Sequence, residues 1–494
     1  MKELKTIIKF LEAHDIEAWI SGGTARDVFL DRSYEEIHVS VRATFSTLNK
    51  LFKDRLVKLD KVGNYFSIKY NENVYLLHPL TKIKVTNTYP SYLPTDNLEE
   101  DAKSRDFTIN TLYYNPSTNS WIDYFGAKED CKNKSIKLVG NPQENILASK
   151  IRLLRGPVLC GLLGEGWKLD YTTSVAIKDY SLKLMAVTRA ELHNEFQKLF
   201  TRTKKPSKTF NILRQTNLLV SIFPELLLTI GVDQSNKRDH LDLYTHIMYA
   251  LDSIPESANN LETLRLSALL HDIAKPQTEV ISKEGRHFFN HEIVGKKLCK
   301  IVLDRWGYSS KVQKNVSHLV EHHLFNLTAS HSKTALKKFI SRVTPDLIHT
   351  LLDLRVADIM GAGISKSTFP VESLRRKINN ELMKTSPKDF KLAISTTDIE
   401  KIIKDDTEED LLNETVEACQ TFLKNKIFLG RTHNKKTNLK KALNTINKII
   451  CPLDKKHLFD TWSQIQTGHT DTFENGKLKC GVYCNFNCDK KLRK

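Results

Sequence analysis

A histidine and an aspartate stand side by side at the end of an apolar segment near the middle of the chain. His271 and Asp272 directly follow Ala268-Leu269-Leu270. Adjacent residues leave a helix about 100° apart, and no solvent-facing stripe requires an imidazole and a carboxylate at this point. Mixed imidazole and carboxylate ligation suits Mn, Fe, Co, Ni or Zn better than Ca. The doublet therefore predicts a metal site with positions open for water and a phosphate oxygen.

Further histidines and a second aspartate occur before and after the doublet, in segments with a helical pattern. With the doublet they form a set of six candidate ligands, which are His246, His271, Asp272, His291, His323 and Asp358. For any one histidine alone, a buried and hydrogen-bonded helix residue is the better interpretation. His287 is interpreted as a structural residue or as a partner of a ligand.

The order of these residues, with Lys275-Pro276 after the doublet, resembles the HD phosphohydrolase superfamily. The resemblance implies that one ion is held by His246, His271, Asp272 and Asp358, and that His291 and His323 add a second ion with Asp272 as the bridge. The preference for His323 over His322 as a ligand rests on this resemblance alone. A metal-bound hydroxide would attack phosphorus, and Lys275 would meet the phosphate as a point charge, which gives Asp272 and Lys275 catalytic roles.

A glycine pair near the amino end carries a second resemblance. Gly22-Gly23 lies between a strand-like and a helix-like segment, where missing side chains let a triphosphate approach the backbone. With Glu100–Asn110 and Trp121–Asp130 it resembles the class II nucleotidyltransferases, the tRNA CCA-adding enzymes and bacterial poly(A) polymerases. The likeness continues at Asn141–Arg155, Thr188–Leu199, Lys388–Ile399 and Asn434–Leu443.

This second resemblance implies a set of residues that bind RNA or nucleotide, namely Gly22, Gly23, Arg26, Asp27, Arg105, Asp106 and Arg152. A purely structural role is weighed equally, because an Arg-Asp pair after a Gly-Gly turn can brace a helix without any ligand.

The chelating residues of that family are altered in this chain. The family uses Asp-x-Asp on one strand face to hold two Mg²⁺ ions, whereas this chain has Glu36-Ile37-His38. The further acidic position falls near Leu76. The base-selecting Glu-Asp-x-x-Arg corresponds to Ala148–Arg152, in which only the arginine remains. We therefore expect Glu36 and His38 to be degenerate catalytic positions.

Composition favours a polyanionic partner. The chain has 494 residues, of which 75 are basic and 58 acidic, and its formal net charge is +17. RNA, above all tRNA, is the expected partner. The first residues lack a signal-peptide pattern and no apolar run reaches ~18 residues, so we expect a cytoplasmic protein without a membrane partner. The cysteines do not form a disulfide framework. A zinc site at Cys480, Cys484 and Cys488 is left open.

The patterns predict an α+β protein in which a mixed α/β nucleotidyltransferase-like head precedes a mostly helical neck, an all-α HD domain and a helical body. The expected domains are the head at 1–138, an RNA-binding neck at 139–235, the HD domain at 236–366, the body at 367–450 and a basic tail at 451–494.

From these features we expect a metal-dependent phosphohydrolase acting on RNA or tRNA 3′ ends or nucleotides, such as 2′,3′-cyclic or 2′-phosphates, with the head kept for RNA binding. Its cofactor would be one or two divalent ions of Mn, Ni, Co, Fe or Zn, with Mg also open. Two alternatives remain: an active tRNA CCA-adding enzyme or poly(A) polymerase, and a non-catalytic tRNA-binding protein. Oligomeric state and exact substrate are open.

Overall fold

A computed structural model describes most of the first 403 residues and a few short pieces beyond them. The described residues are 2–53, 56–60, 65–70, 73–84, 91–234, 241–283, 285–363, 367–384, 395–403, 420, 423, 473–474 and 477–478. Across these ranges no helix is both long and apolar enough to span a bilayer.

The amino-terminal part is built on a seven-stranded sheet with the strand order β3-β4-β5-β2-β1-β8-β9. Its strands are β1 (Ala18–Ser21), β2 (Ile37–Val41), β3 (Leu56–Asp60), β4 (Tyr65–Tyr70), β5 (Asn73–Pro79), β8 (Tyr113–Asn115) and β9 (Ser120–Ile122). A separate hairpin pairs β6 (Thr81–Lys84) with β7 (Ser91–Pro94). The helices of this part are α1 (Lys2–Glu12), α2 (Gly22–Phe29), α3 (Phe45–Leu51), α4 (Leu98–Ser104) and α5 (Ala127–Lys132).

The register between β2 and β5 decides which side chains meet at the end of the sheet. The two strands are parallel, with His38 opposite Leu76 and Ser40 opposite His78. Residues two apart on a strand share a face, so these four residues all lie on one side of the sheet. The register therefore brings a second histidine next to His38.

Helices dominate after the head. They are α6 (Pro142–Ala148), α7 (Arg152–Leu163), α8 (Tyr171–Asp179), α9 (Arg189–Arg202), α10 (Pro206–Gln215), α11 (Leu218–Ile222), α12 (Pro224–Leu227), α13 (Leu243–Asp252), α14 (Leu261–Leu270), α15 (His291–Arg305), α16 (Ser310–His322), α17 (Lys333–Val343), α18 (Pro345–Gly361), α19 (Phe369–Lys384) and α20 (Thr396–Ile403). Three short pairs of strands join β10 (Ser135–Ile136) to β11 (Lys168–Leu169), β12 (Glu279–Ser282) to β13 (Gly285–Phe288), and β14 (Phe473–Glu474) to β15 (Lys477–Leu478).

Chain contacts divide the described part of the protein into two compact units. One contains residues 1–324 and 353–367, and the other contains residues 325–352 and 368–494. In the first unit one hydrophobic core runs from α7 and α9 through α15 and α16. Trp306, fully buried, stacks on Phe196 with ring centroids 4.1 Å apart and meets Phe223 edge-on at 5.0 Å. The helices that carry the histidines are therefore fixed against those that follow the head.

The predicted fold class is confirmed, since a mixed head with a sheet is followed by helices and by the helical segment that carries the doublet. The limits of the five predicted domains stay predictions. The three tail cysteines and the segment Asn434–Leu443 lie outside the described residues.

Candidate metal centre and head site

Six side chains from five helical segments converge in the first unit. His246 comes from α13, His271 and Asp272 follow α14, His291 begins α15, His323 follows α16 and Asp358 lies in α18. Ligand atoms of His246, His271, Asp272 and Asp358 all lie within 4.8 Å of one another, and so do those of Asp272, His291 and His323. All six predicted ligands are thus brought together, in two groups that share one aspartate.

Backbone carbonyls orient three of the imidazoles toward the centre. The Nδ1 atoms of His271, His291 and His323 lie 2.8, 2.7 and 2.7 Å from the carbonyl oxygens of the residues three positions earlier. A carbonyl only accepts, so each Nδ1 carries a hydrogen, and each ring, when neutral, presents a lone pair at Nε2. The Nε2 atoms of His291 and His323 are buried without a hydrogen-bond partner. Such orphaned lone pairs fit a bound cation.

Asp272 faces both groups with different oxygens. Its Oδ2 lies 3.2 Å from His271 Nε2 and 3.5 Å from His246 Nε2. Its Oδ1 lies 3.2 Å from His291 Nε2 and 3.5 Å from His323 Nε2. A carboxylate with one oxygen on each side has the geometry of a bridge between two cations.

The second carboxylate of the centre, Asp358, is oriented by a hydrogen bond from a residue outside the ligand set. Asp358 Oδ1 lies 3.3 Å from His246 Nε2 and 3.6 Å from His271 Nε2. Its other oxygen accepts a hydrogen bond of 2.6 Å from Arg355, three residues earlier on α18. An outer partner of this kind fixes the orientation of a ligand.

Lys275 lies at the rim of the centre. Its Nζ is 2.7 Å from Asp272 Oδ2 and donates to Gln234 Oε1 at 2.8 Å. The ammonium also sits 5.6 Å from the centre of the Phe288 ring. The structure thus places Lys275 in an ion pair with Asp272, and its predicted contact with a phosphate stays a prediction.

The electrostatics of the cluster favour a positive charge inside it. Burial lowers the pKa of His271, but Asp272 and Asp358 outweigh that effect and raise its pKa to about 10. Burial raises the pKa of Asp272, yet His271 and Lys275 hold it well below its usual value. Burial also raises the pKa of Asp358, but its hydrogen bonds with His246 and His271 hold it well below its usual value. Both carboxylates therefore stay ionised, and either a proton or a bound cation can balance them.

Two other histidines of this region lie elsewhere. His322 is on the outer face of α16, where His318, Glu321 and His322 form a separate group with ligand atoms within 4.8 Å of one another. His287 lies on β13 and stacks against Phe289 with ring centroids 5.3 Å apart.

In the head, Glu36 and His38 form a polar chain with a residue that sequence reasoning missed. His38 Nε2 lies 3.3 Å from Glu36 Oε2, and His38 Nδ1 lies 2.9 Å from His78 Nε2. The hydrogen bond with His38 lowers the pKa of Glu36 to about 2, against the effect of burial. Burial, together with His38 and Arg105, holds the pKa of His78 well below its usual value. The head thus presents an ionised carboxylate beside two imidazoles.

The glycine turn lies directly beside this chain of residues. Gly22 has a φ of +61°, and a Cβ built on it would lie 3.2 Å from Arg105 Nη1 and 4.0 Å from His38 Cβ. Any residue other than glycine would be strained at this φ, and its side chain would crowd Arg105 and His38. The side chain of Ser21 makes no capping hydrogen bond to the first turn of α2. Because Gly22 lies against His38, the turn and Glu36-Ile37-His38 border the same space. The first amides of a helix attract phosphate oxygens, and those of α2 face this space.

The charged residues around the turn are engaged with other parts of the protein. Arg26 donates to both carboxylate oxygens of Asp27 and to Asn110. Arg105 donates to Asp101 Oδ2 at 3.0 Å and to Ser40 Oγ at 2.8 Å. These contacts show how Arg26, Asp27 and Arg105 brace the head, and any contact they make with a nucleotide stays a prediction.

Asp106 and Arg152 lie where the head meets the following helices. Asp106 accepts hydrogen bonds from Arg155 at 2.9 Å and from the amide of Phe107 at 2.8 Å. Arg152 donates to Asn145 Oδ1 at 2.8 Å, and its Nε is buried without a partner. Sequence reasoning missed Arg155, although its spacing of three from Arg152 on α7 places both on one helix face.

Three segments of the chain match known protein families. Residues 18–137 match the family described as "Poly A polymerase head domain", and residues 241–362 match the "HD domain". Residues 166–228 match the family described as "Probable RNA and SrmB- binding site of polymerase A". The three matches follow the chain order that the two resemblances predict.

Relatives of the chain are enzymes that add nucleotides. A CCA-adding enzyme of Enterococcus faecalis is 28% identical over 204 residues, covering 40% of this chain and 48% of its own length. Poly(A) polymerase I of Haemophilus influenzae is 25% identical over 232 residues, covering 44% and 51%. A CC-adding tRNA nucleotidyltransferase of Thermus thermophilus is 26% identical over 370 residues, covering 72% and 79%. This chain spans about half the length of the first two of these relatives.

One solved structure shares the fold. The CCA-adding enzyme of Bacillus stearothermophilus in complex with CTP is 19% identical, with a TM-score of 0.51, and the similarity covers 90% of this chain and 97% of that one. At this identity the similarity speaks for the fold alone.

These relatives overturn the expected function. We expected a phosphohydrolase whose head had lost nucleotidyl transfer, but the matching proteins are named as nucleotide-adding enzymes and polymerases. The expectation was wrong for two physical reasons. An intact set of six ligands defines a cation site without defining the reaction of the whole protein, and Glu36 and His38 still offer two metal donors in place of two aspartates. In its head, its HD domain and the segment at 166–228, this chain is similar to the class II tRNA nucleotidyltransferases and poly(A) polymerases.

Proposed function

We propose that this chain is an enzyme that transfers nucleotides from a nucleoside triphosphate to the 3′ end of an RNA, with tRNA as the first candidate. The names of the relatives supply the reaction class. The net charge of +17 suits a polyanionic substrate, and residues 166–228 match a probable RNA-binding segment.

The observation that carries the proposal is the position of Glu36 and His38 beside the Gly22 turn. A transfer of this kind needs the triphosphate next to groups that can hold a divalent cation. The first amides of α2 and the missing side chain at Gly22 suit the phosphates, while Glu36 and His38 supply an oxygen and a nitrogen donor 3.3 Å apart. Both requirements meet at one edge of the sheet.

The donor set in the head fits a transition ion better than Mg²⁺. Mg²⁺ prefers oxygen ligands, whereas Mn²⁺, Co²⁺ and Zn²⁺ accept imidazole nitrogen. If His38 Nε2 binds a cation, its Nδ1 carries the hydrogen and donates to His78 Nε2 at 2.9 Å, which fixes the ring. His78 is then a positioning residue for His38. The cation would stabilise the charge that develops on the phosphates during transfer.

The residues that brace the turn would position the substrate. Arg26 links α2, which also carries its partner Asp27, to Asn110. Arg105 links Asp101 of α4 to Ser40 of β2. Asp106 and Arg152 join the head to α7. We propose that they fix the nucleotide-binding edge relative to the following helices, and that Arg152, which is buried with an unpartnered Nε, supports the surface that receives the nucleotide.

The HD centre is proposed as a second place for divalent transition ions, one or two per chain. Its donors are four imidazoles and two carboxylates, which suit Mn²⁺, Fe²⁺, Co²⁺, Ni²⁺ or Zn²⁺. The orphaned Nε2 atoms of His291 and His323 support the fit.

The test of the proposed transfer uses tRNA transcripts that lack the terminal CCA, an unrelated RNA, and labelled CTP and ATP. Each reaction is run with Mg²⁺, Mn²⁺, Co²⁺ or Zn²⁺. We expect labelled nucleotide on the RNA 3′ end in at least one transition metal, and loss of incorporation in a Glu36→Gln, His38→Gln double variant. A His14→Gln variant, changed at an exposed histidine of the head, serves as the matched control.

Two outcomes contradict the proposal. One is a folded parent protein that adds no nucleotide to either RNA with any of the four ions. The other is a double variant that is as active as the parent.

A further inference from the structure

The outer face of α16 carries a group of side chains that neither the HD centre nor the head uses. His318, Glu321 and His322 follow one another at spacings of three and one, so they share one face of the helix. Their ligand atoms all lie within 4.8 Å of one another. The two imidazole rings are T-shaped with centroids 4.5 Å apart.

The helix itself holds these donors in place. Leu319 and Val320, which lie between them in sequence, are fully buried and fix that side of α16 in the core. The side chains of His318 and Glu321 are each about a quarter exposed, so they are partly enclosed and still reachable from solvent. Because the backbone already sets the spacing of the donors, little conformational entropy is lost when they bind one ion.

The charge at this position suits a cation. Glu321 already attracts a positive group, because Lys296 Nζ from α15 lies 2.7 Å from its Oε2. A divalent ion between the imidazoles would compete with this ammonium for the same oxygen.

We propose that His318, Glu321 and His322 form a surface site for a borderline transition ion such as Zn²⁺, Ni²⁺ or Cu²⁺, separate from the HD centre. Two imidazoles at i and i+4 on a helix, with a carboxylate beside them, are a donor set that these ions accept, whereas Mg²⁺ and Ca²⁺ prefer oxygen ligands. With three protein ligands and access from solvent, this site exchanges its ion more readily than the enclosed HD centre. An ion here also ties together the last two turns of α16, next to His323.

Zinc stoichiometry of the full chain tests the site directly. The metal-free protein is equilibrated over a series of buffered free Zn²⁺ concentrations, and bound zinc is counted by mass spectrometry. We expect the parent to bind one more ion per chain than a His318→Gln, His322→Gln double variant. A control variant, His14→Gln with His331→Gln, removes two exposed histidines elsewhere and should bind as many ions as the parent. Equal zinc content in the parent and the first variant, or an equal loss in the control, overturns the proposal.

A second measurement needs no variant. Diethyl pyrocarbonate modifies accessible histidines, and peptide mass spectrometry reports which ones. We expect Zn²⁺ to protect His318 and His322 in the parent protein while His14 and His331 stay reactive. Equal modification of His318 and His322 with and without Zn²⁺ also overturns the proposal.

Discussion

The HD centre and the head site differ in how completely the fold encloses their donors. In the HD centre the side chains of His271 and Asp272 are 0% and 3% exposed, and carbonyls orient the rings from behind. In the head the side chains of His38 and Glu36 are 28% and 49% exposed, and their nearest partners are each other, His78 and Arg202. An enclosed set of donors tolerates few replacements, whereas an open edge tolerates a changed donor as long as some ion still binds.

This contrast also corrects the meaning we gave to the two motifs. The complete motif lies in a site that the protein has fully built, and the altered motif lies at the edge where the proposed transfer takes place. A complete motif therefore indicates a site whose geometry tolerates few substitutions. It does not indicate which of two sites carries out the main function of the protein.

The largest expected effect is at Asp272, the aspartate shared by the two groups of the HD centre. In Asp272→Asn the oxygens facing four imidazoles lose their negative charge, so metal affinity should fall at least about 100-fold, beyond the 10–100-fold typical of an outer partner. The metal content of the purified variant, measured beside an Asp304→Asn control at an exposed position, checks this. A variant that retains the parent's metal content would remove the proposed role of Asp272 in ion binding.

The next effect concerns the bracing residues of the head. Asp106→Asn leaves Arg155 and Arg152 with less negative charge at a half-buried position, and should lower the free energy of unfolding by about 2 kcal/mol. Urea unfolding of the variant and of the Asp304→Asn control measures it. A loss no larger than that of the control would favour a ligand role for Asp106 over a structural one.

The same variant has a pH signature. Burial raises the pKa of Asp106, but Arg155 and Arg152 outweigh it and hold the pKa below its ordinary value. A carboxyl with a depressed folded-state pKa stabilises the protein above about pH 4, and this contribution is lost as the pH falls toward its folded pKa. The difference in stability between parent and Asp106→Asn should therefore shrink below about pH 4.

The smallest expected effect tests the head's choice of ion. His38→Asp replaces an imidazole with the oxygen donor that Mg²⁺ prefers, so nucleotide addition in Mg²⁺ should rise about tenfold relative to Mn²⁺. The ratio of the two rates is compared with that of a His14→Asp control. An unchanged ratio would show that His38 does not face the ion.

The HD doublet and the Gly22 turn could be predicted from the sequence because the residues of each motif lie close together in the chain. His271, Asp272 and Lys275 lie within five residues, and Gly22 and Gly23 adjoin Arg26 and Asp27, so each motif is recognisable before any folding. The family and the fold class followed from such motifs. The function did not follow from them, because the proposed reaction depends on which changes of metal donor the exposed site in the head tolerates.

The sequence by itself determined the order of the parts and the candidate ligands, since residues close in the chain carry those signals. Only the tertiary structure decided that His78 meets His38 from 40 positions away, because the parallel register of β2 and β5 sets that contact. It also decided that His323 turns inward while its neighbour His322 joins an outer group, because consecutive residues leave a helix about 100° apart and packing selects which of them faces the core.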